Sequence, residues 1–428
     1  MSYIENECIL TEKTELRSGI VEENYLTGCA PTDFSEANIN RNGNGVEFKV
    51  SSYDTPLKLY EMCIKAELEI RDSENATTPL SDTKDSVLIN NFFPFLWSSM
   101  ELKINGQSVE IIYEPGEADT LLKQIFFPID IREKSGDFIG WIPDKIKTNK
   151  ITEETNAEQF VTNNKGRDRR KDLYNDTKEF TIYWYFSPLF GFSEYRKLLY
   201  NIPFSLILRR QVDNKLIFDK DPGHVHIRSL ELLVPYVRLE NKVKAFFLKQ
   251  INENDTFECV FKKREGIQIQ EISATTGKQQ IRLFNTSNSP KYIIIAFKTN
   301  DERSGYFSKY GVTQIQLSVG NTNYPSDPIK VSYKGMIDVV GVYDLYRKMC
   351  KNFGILPQLS MVEFIQSPFY CFDVSKRNPE IVLNGAQVTL KVNKTSPKTA
   401  KIHILSLENS FWKIKNENGK MSCISMKE

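Results

Sequence analysis

The chain has 428 residues, 40% of them hydrophobic and 26% charged, and its formal net charge is +1. Its length exceeds what a single hydrophobic core usually organises, so we expect two domains. The composition excludes a disordered or low-complexity chain, and the small net charge disfavours a protein that coats DNA through an overall positive charge.

The first 45 residues are polar, and they end in the turn-forming sequence Asn42–Gly45 (NGNG). We interpret residues 1–45 as an N-terminal arm that crosses the surface of its own or a neighbouring subunit. The start of the chain has no basic region followed by an apolar one, so we expect no secretory signal. No run of about 18 apolar residues occurs, so we also expect no transmembrane segment.

Apolar residues alternate with polar ones at Val46–Val50 and Met62–Ile70, which predicts two strands. Asn105-Gly106 separates two further alternating segments, at 100–104 and 107–111. Asn-Gly readily adopts two positive φ angles, so a hairpin with a type I′ turn is predicted there. Residues 117–127 carry apolar side chains at helical spacing and predict a short amphipathic helix.

The segment 143–176 is long, polar and charged, which predicts an exposed or interfacial loop. Strands are predicted next at Phe180–Phe186 and Phe204–Arg209. The polar residues 211–224 form the best internal boundary of the chain. We therefore predict a first domain at 46–215 and a second at 216–428, which includes a C-terminal tail.

The second half repeats the pattern of the first, with short apolar segments interrupted once by a predicted helix at 339–353. The predicted strands are 225–238, 257–261, 267–272, 281–284, 292–297, 315–319, 329–333, 369–374, 381–383, 388–392 and 402–405. The seventeen predicted strands average about eight per half, and no βαβ alternation is present. We predict an all-β fold of two tandem eight-stranded jelly-roll β-sandwiches (a double jelly-roll), each with a short helix in a connecting loop.

Specific segments also resemble those of a known family. Asp85–Phe93 (DSVLINNFF) and Leu96–Gly106 (LWSSMELKING) are similar to a signature of the major capsid proteins of Polinton-like elements and adintoviruses. Further similar segments follow in the same order, at 117–122, 164–169, 190–210, 230–239, 342–347, 367–374 and 388–392. The resemblance extends from about residue 46 to 410.

The resemblance implies a structural major capsid protein, not an enzyme, that trimerises into pseudo-hexameric capsomers tiling an icosahedral shell. The implied partners are other copies of the chain, neighbouring capsomers, and penton or minor capsid proteins. The implied location is the virion capsid, assembled inside the host cell in the cytoplasm or nucleus and not secreted. A minor capsid protein or a domesticated capsid-derived protein would have the same fold.

A different class of function stays open, namely a glycan-processing or carbohydrate-binding double β-sandwich. Glu110, Glu114, Glu117 and Asp119 cluster around the exit of the predicted hairpin, and paired carboxylates can serve glycoside hydrolysis. The simpler interpretation places Glu117 and Asp119 in the first turn of the helix, where they would complement its dipole. Motifs of nucleotide binding or nucleophilic hydrolysis are absent from the sequence, so we assign no catalytic residue.

Aromatic residues concentrate just before the predicted hairpin. They could form a ligand platform, but we favour core packing at the base of a sandwich. The residues are Phe92, Phe93, Phe95 and Trp97.

Histidine is the residue type that would first suggest a metal site. His224 and His226 would share one face of a strand, but His403 is distant in sequence and only Asp219 and Asp221 lie near the pair. We therefore interpret the pair as part of a linker turn and expect no metal. The seven cysteines are scattered without a CxxC pair, so we expect neither a zinc site nor a disulfide framework, and we expect no cofactor.

Two basic clusters could contact nucleic acid. The first is interleaved with Asp168 and Asp172, which favours a solvated or intersubunit loop over a nucleic-acid site; its basic members are Lys165, Arg167, Arg169, Arg170 and Lys171. The second, Lys262–Arg264, is flanked by Glu258 and Glu265 and is equally ambiguous. We assign no specific nucleic-acid site.

Overall fold

The computed structural model of the protein is built mainly from β-strands. It describes residues 20–25, 30–31, 35–41, 43–51, 55–72, 77–129, 134–145, 164–174, 176–211, 217–253, 256–286, 290–299, 305–333, 339–375, 386–417 and 420–426. The strands are β1 (Ile20–Tyr25), β2 (Gly45–Val50), β3 (Cys63–Asp72), β4 (Trp97–Ile104), β5 (Gln107–Tyr113), β6 (Glu179–Tyr185), β7 (Phe204–Arg210), β8 (Gly223–Leu233), β9 (Pro235–Leu239), β10 (Thr256–Ile272), β11 (Gly277–Thr286), β12 (Pro290–Thr299), β13 (Val312–Val319), β14 (Thr322–Lys330), β15 (Tyr370–Asp373), β16 (Ala386–Lys394), β17 (Ala400–Glu417) and β18 (Lys420–Met426). The helices are α1 (Glu36–Ile39), α2 (Pro115–Phe126), α3 (Gly136–Ile139), α4 (Lys165–Asp172), α5 (Asn241–Glu253), α6 (Val340–Asn352) and α7 (Met361–Gln366).

The strands of the second half form a jelly roll. One sheet has the order β10-β17-β12-β15, and the facing sheet has the order β11-β16-β13-β14. Every pairing is antiparallel, and β18 adds a further antiparallel strand to β17. When the eight strands from β10 to β17 are numbered from one, the two sheets have the orders 1-8-3-6 and 2-7-4-5, which is the jelly-roll order.

The first half has the same strand order with one strand fewer in the described ranges. Its sheets are β8-β3-β6 and β2-β7-β4-β5, which superpose in order on β17-β12-β15 and β11-β16-β13-β14. Among the residues that the structure describes, no ladder strand occupies the position equivalent to β10, on the outer side of β8. Both halves therefore confirm the predicted double jelly-roll, although seven strands form ladders in the described part of the first half where eight were expected.

The position of the missing strand is occupied by α1 and the residues after it. The Asn40 side chain makes two backbone-like hydrogen bonds with Ile227 of β8: its amide nitrogen donates to the Ile227 carbonyl at 2.9 Å, and its oxygen accepts from the Ile227 N–H at 2.9 Å. The His226 ring lies 2.5 Å from the Glu36 carboxylate of α1. Side-chain contacts thus replace a ladder at this edge, and they satisfy backbone groups that would otherwise invite strand pairing.

The strand pairings of β8 and β9 bear on where the two jelly rolls divide. β8, which follows the polar segment 211–224, pairs with β3 from Cys63↔Leu233 to Asp72↔Gly223, so it belongs to a sheet of the first jelly roll. β9 pairs with β1 from the N-terminal arm. We therefore propose that the boundary falls within α5, between β9 and β10.

In both halves a helix follows the last strand of the four-stranded sheet. α2 follows β5 and α6 follows β14, which confirms the two helices predicted near 117–127 and 339–353. Leu121, Leu122 and Ile125 form the buried side of α2. The two helices meet at their C-terminal ends, where the Phe126 and Phe353 rings pack edge to face with centroids 5.0 Å apart.

The aromatic segment before β4 lies in the core of the first jelly roll, as expected. Phe92, Phe93 and Trp97 are at most 2% exposed, and the Phe93 ring contacts both Trp97 and Trp184. Arg210 is also fully buried here, and it donates to the carbonyl of Leu96, just before β4, and to the carbonyl of Val225 in β8. Burial lowers the pKa of Arg210 to about 9.

The hairpin between β4 and β5 is the clearest local prediction, and the backbone confirms it. Asn105 and Gly106 have φ angles of 50° and 77°, as a type I′ turn requires. An added Cβ at Gly106 would meet nothing within 4 Å, so only the backbone angle makes glycine favourable there.

We expect Gly106→Val to lower the free energy of unfolding by about 1 kcal/mol or more, because a β-branched residue resists positive φ. Urea denaturation followed by circular dichroism measures the loss. Gly106→Asn is the matched control, because asparagine tolerates the left-handed conformation and should cost less. Equal stabilities of the valine and asparagine variants would contradict the turn assignment.

Candidate functional site at the junction of the two jelly rolls

The predicted acidic cluster lies where the first jelly roll contacts the second. β5 and the N-terminal part of α2 pack against β10 and β17. Glu110 belongs to β5, whereas Glu114 immediately precedes α2 and Glu117 lies in its first turn. The hairpin and the helix therefore present three carboxylates to one neighbouring surface, which comes from the second half of the same chain.

Glu110 is the most deeply buried of these acids, at 1% exposure. Its carboxylate accepts hydrogen bonds from three backbone N–H groups: Gly191 at 3.0 Å and Phe192 at 2.8 Å in the first jelly roll, and Arg264 at 2.8 Å in the second. Burial raises the pKa of Glu110 to about 7 in spite of these hydrogen bonds. Glu110 is thus a backbone-binding carboxylate that joins the two jelly rolls.

The backbone of Gly191 approaches β10 so closely that only glycine fits. An added Cβ would lie 1.8 Å from the Lys262 carbonyl oxygen. Next to this contact, the fully buried Arg264 forms an ion pair with Glu194, which follows Gly191 in the same turn. The Lys262 ammonium lies 3.7 Å from the centroid of the Phe353 ring. The second basic cluster, Lys262–Arg264, therefore contributes buried contacts that stabilise the junction between the two jelly rolls.

Glu117 and Glu114 extend the contact towards the inner strands of the second jelly roll. Glu117 forms a buried ion pair with Lys298 of β12, and its other oxygen accepts from the Gly305 N–H at 3.2 Å. Glu114 lies 4.0 Å from the His403 ring of β17, and burial raises the pKa of Glu114. Burial also lowers the pKa of His403 to about 4.

Asp119 does not lie in the first helical turn, which corrects the expectation from sequence. It is fully buried and pairs with Lys123, one turn further along α2, at 2.7 Å. Lys123 also donates to the Asn91 side chain at 2.9 Å, and burial lowers the pKa of Lys123. The pair lies within the first jelly roll and braces α2 against the aromatic core.

The carboxylates at the junction bind the two sandwiches to each other and are not placed for catalysis. Glycoside hydrolysis needs two carboxyl groups that reach a substrate and a water molecule. Here Glu110 is saturated by backbone donors, and Glu117 is neutralised by Lys298. These carboxylates therefore hold the subunit together.

The first basic cluster is a helix, not the loop that the sequence suggested. Asn164 caps the N-terminus of α4 by accepting from the Gly166 and Arg167 N–H groups at 3.1 and 3.2 Å. Arg167 is buried and pairs with Asp219 at 2.6 Å and with Asp85 at 2.9 Å. Residues 146–163 of the expected loop lie outside the described residues.

Arg170 makes the most extensive contacts of α4. Its guanidinium donates to the carbonyls of Leu88 at 2.7 Å and Ile142 at 2.6 Å, and to the Asp144 carboxylate at 2.6 Å. The side chains of Arg170 and Asp144 are nearly inaccessible, at 3% and 2% exposure respectively. The expectation of a solvated cluster is wrong for Arg167 and Arg170, whose guanidinium groups tie several segments of the first jelly roll together.

His224 and His226 lie on β8, so the interpretation of this pair as part of a linker turn is wrong. Burial lowers the pKa of His224 to about 4, whereas His226 contacts Glu36. Asp219 binds Arg167, and Asp221 accepts from the Asp85 N–H. Across the described ranges, no group of three His, Cys, Asp or Glu residues is arranged to hold a metal ion.

Sequence reasoning missed the partners of these charged residues. Asp85 and Asp144 come from segments outside α4, Asn164 directly precedes it, and each looks like an ordinary loop residue in the sequence. Asn164 offered the one usable signal, because asparagine before a charged, glycine-containing run is a common helix cap.

In the part of the chain that the structure describes, no helix is sufficiently long and apolar to cross a membrane.

Several solved structures of viral proteins are similar to this chain. The chain superposes on a chain of the Sputnik virophage with TM-score 0.59 and 10% identity, covering 96% of this chain and 89% of that one. Mavirus major capsid protein gives TM-score 0.51 and 10% identity, with 95% and 90% covered, and Faustovirus major capsid protein gives 0.53 and 6%, with 91% and 90% covered. No curated protein sequence matches the chain.

A family model supports the same architecture from sequence. The model of the double jelly roll-like domain matches residues 142–404, which is more than half of the chain. That match spans the later strands of the first jelly roll and almost all of the second. Together with the two sheet orders, it shows that this protein belongs to the double jelly roll-like domain family.

Proposed function

We propose that this protein is a structural major capsid protein and not an enzyme. The observation that carries the proposal is the pair of jelly rolls with equivalent strand orders, joined by a buried junction into one subunit. Over more than nine-tenths of its length this arrangement is shared with mavirus and Faustovirus major capsid proteins.

In this proposal three subunits associate into a homotrimer that presents six jelly rolls as a pseudo-hexameric capsomer, and capsomers tile an icosahedral shell. The proposed homotrimer would be held by heterologous contacts between unlike surfaces, which close into a ring under threefold symmetry. The further partners would be neighbouring capsomers and penton or minor capsid proteins. The location would be the virion capsid, after assembly inside the host cell.

We expect the purified protein to elute as a homotrimer of about 150 kDa, three times the 49.5 kDa of the chain. Light scattering coupled to size exclusion at micromolar concentration and physiological salt measures the mass. Negative-stain microscopy of the same fraction should show particles with a hexagonal outline. A stable monomer under these conditions would refute the trimer and count against a capsid role.

The glycan-processing alternative receives no support from the geometry. It would require accessible carboxylates, whereas Glu110 and Glu117 are buried and bonded across the junction.

A further inference from the structure

The helix that links the two jelly rolls, α5, has two dissimilar sides. Val243, Phe247 and Ile251 recur every four residues, so they lie on one side of the helix. Phe247 and Ile251 are buried, and the Phe247 ring packs edge to face against Tyr200 of the first jelly roll, with ring centroids 5.8 Å apart. This side therefore fixes α5 to the protein and determines which of its residues face solvent.

The opposite side of α5 carries an exposed aromatic ring between lysines. Lys242, Phe246 and Lys249 follow helical spacing, and all three are exposed. Phe246 is 61% exposed, so most of its apolar surface contacts water. Lys244, in the first turn, is exposed as well. A helix face that meets only water usually carries polar residues, so a phenylalanine at the centre of this face indicates an interaction surface.

The charge of this helix is one-sided. Its first twelve residues contain three lysines and no acid, whereas the whole chain is nearly neutral, with 56 basic and 55 acidic residues. Lys242 and Lys244 form no ion pair with any residue that the structure describes. A single exposed apolar residue is common on a protein surface. An exposed aromatic residue surrounded by lysines is instead typical of a helix that lies on an anionic membrane surface.

The neighbouring segment of the first jelly roll adds to the positive charge. Tyr200, which contacts α5, closely follows the exposed Arg196 and the half-buried Lys197. Of the acids nearby, Glu194 is paired with a buried arginine of β10. Glu240 is exposed, but it directly precedes α5, where a carboxylate complements the helix dipole. The surface around α5 therefore keeps an excess of positive charge.

The location of α5 separates it from the long insertions of the first jelly roll. The Asn105 N–H donates to the Pro203 carbonyl at 2.7 Å, so the Asn105-Gly106 turn and the segment that contacts α5 lie at the same end of the sandwich. The longest connections, 73–96 and 114–178, join β3 to β4 and β5 to β6 at the opposite end. The exposed side of α5 therefore lies at the end of the sandwich away from these insertions.

We propose that the exposed side of α5 binds an anionic lipid surface. Phe246 inserts among the lipid headgroups, and Lys242, Lys244 and Lys249 lie near their phosphate and carboxylate groups. The helix lies along the membrane plane, because its opposite side is packed on the protein. This binding adds a partner to the proposed capsid function and does not depend on the proposed trimer.

The geometry favours a lipid surface over a nucleic acid. Single-stranded nucleic acid binds in basic grooves in which successive bases stack on several aromatic side chains. The solvent-facing side of α5 offers one aromatic ring, Phe246, on a convex helix surface. A plane of anionic headgroups can contact the lysines along such a helix while it receives the apolar ring.

We expect the purified full chain to cosediment with phosphatidylcholine vesicles that contain phosphatidylserine, and not with vesicles of phosphatidylcholine alone. Added salt should weaken the binding, because it screens the lysines from the anionic headgroups. Phe246→Ala should lower the partition coefficient about tenfold, because less apolar surface is buried. Lys242→Gln combined with Lys244→Gln should lower it by roughly fivefold for each lysine.

Tyr113→Ala and Lys278→Gln are the matched controls, because both residues are exposed and lie on strands away from α5. Both controls should bind vesicles as the wild type does, and circular dichroism checks that every variant is folded. A wild type that does not bind the anionic vesicles would overturn the proposal, as would equal losses for Phe246→Ala and Tyr113→Ala. Binding of labelled single-stranded DNA without binding of vesicles would also refute the lipid assignment. Each of these outcomes would leave the proposed capsid function standing.

Discussion

Replacing Arg170 by methionine is expected to lower the free energy of unfolding by about 3–5 kcal/mol, the usual cost of breaking a buried ion pair. The substitution removes the cation beside the buried Asp144 carboxylate and two donors to the carbonyls of Leu88 and Ile142. Methionine fills similar space, so the loss reports polar contacts more than a cavity. Urea denaturation monitored by tryptophan fluorescence measures the loss of stability.

The adjacent residue of the same helix provides the matched control. Lys171→Met makes the same charge change, but the Lys171 side chain is 40% exposed and pairs with Asp85 near the surface. Exposed ion pairs contribute at most about 1 kcal/mol. Similar losses for Arg170→Met and Lys171→Met would show that Arg170 is not a structural residue and would reopen the interpretation of α4 as an exposed basic surface.

Glu110 is expected to make the stability of the protein fall as the pH rises from 5 to 8. Its folded pKa of about 7 lies above the ordinary value of 4.5, so the folded state binds the proton more tightly than the unfolded chain does. The stabilisation is complete below the unfolded pKa and is lost as the pH rises through the folded pKa. Between pH 5 and 8 the loss amounts to roughly 2–3 kcal/mol.

The measurement is the difference between the wild type and Glu110→Gln, because other groups also titrate. The pKa values of His224 and His403 are lowered to about 4, so these groups favour folding as the pH rises and oppose the trend of Glu110. The advantage of the wild type over Glu110→Gln should shrink between pH 5 and 8. The charged residues beside the Glu110 carboxylate are Arg264 on β10 and Glu194 in the adjoining turn. The wild type and Glu110→Gln both retain them.

Glu101→Gln on the neighbouring strand β4 makes the same chemical change outside the junction and serves as the control. The difference between the wild type and Glu110→Gln should change with pH by more than the difference between the wild type and this control. If the two differences changed equally, the Glu110 carboxyl group would not be titrating within the junction, and its burial there would be wrong.

Local structure was largely predictable because local rules govern it. Alternation at 62–70 predicted β3, whose residues Ala66, Leu68 and Ile70 point into the core. The Asn105-Gly106 turn depends on two backbone angles that this dipeptide favours, and α2 followed from helical spacing. The predicted strands at 257–261 and 267–272 are one continuous strand, β10, because its long ladder with β17 spans the polar residues between them.

The identity of strand neighbours was not predictable from periodicity. Alternation states which side chains share a face, but it does not state which strand lies alongside. β8 follows a polar segment that suggested a boundary, yet it pairs with β3, some 160 residues earlier. The predicted strand 381–383 lies outside the described residues.

Charged residues show most clearly which features the local sequence predicts and which depend on the tertiary structure. By itself the sequence determined the strands, the hairpin turn and the two helices, because alternation, turn residues and helical spacing are properties of neighbouring positions. Only the tertiary structure decided that Glu110, Arg167 and Arg170 are buried. Burial of a charge is tolerable only when its partners surround it, and those partners, such as Asp219 and the Arg264 N–H, come from distant parts of the chain.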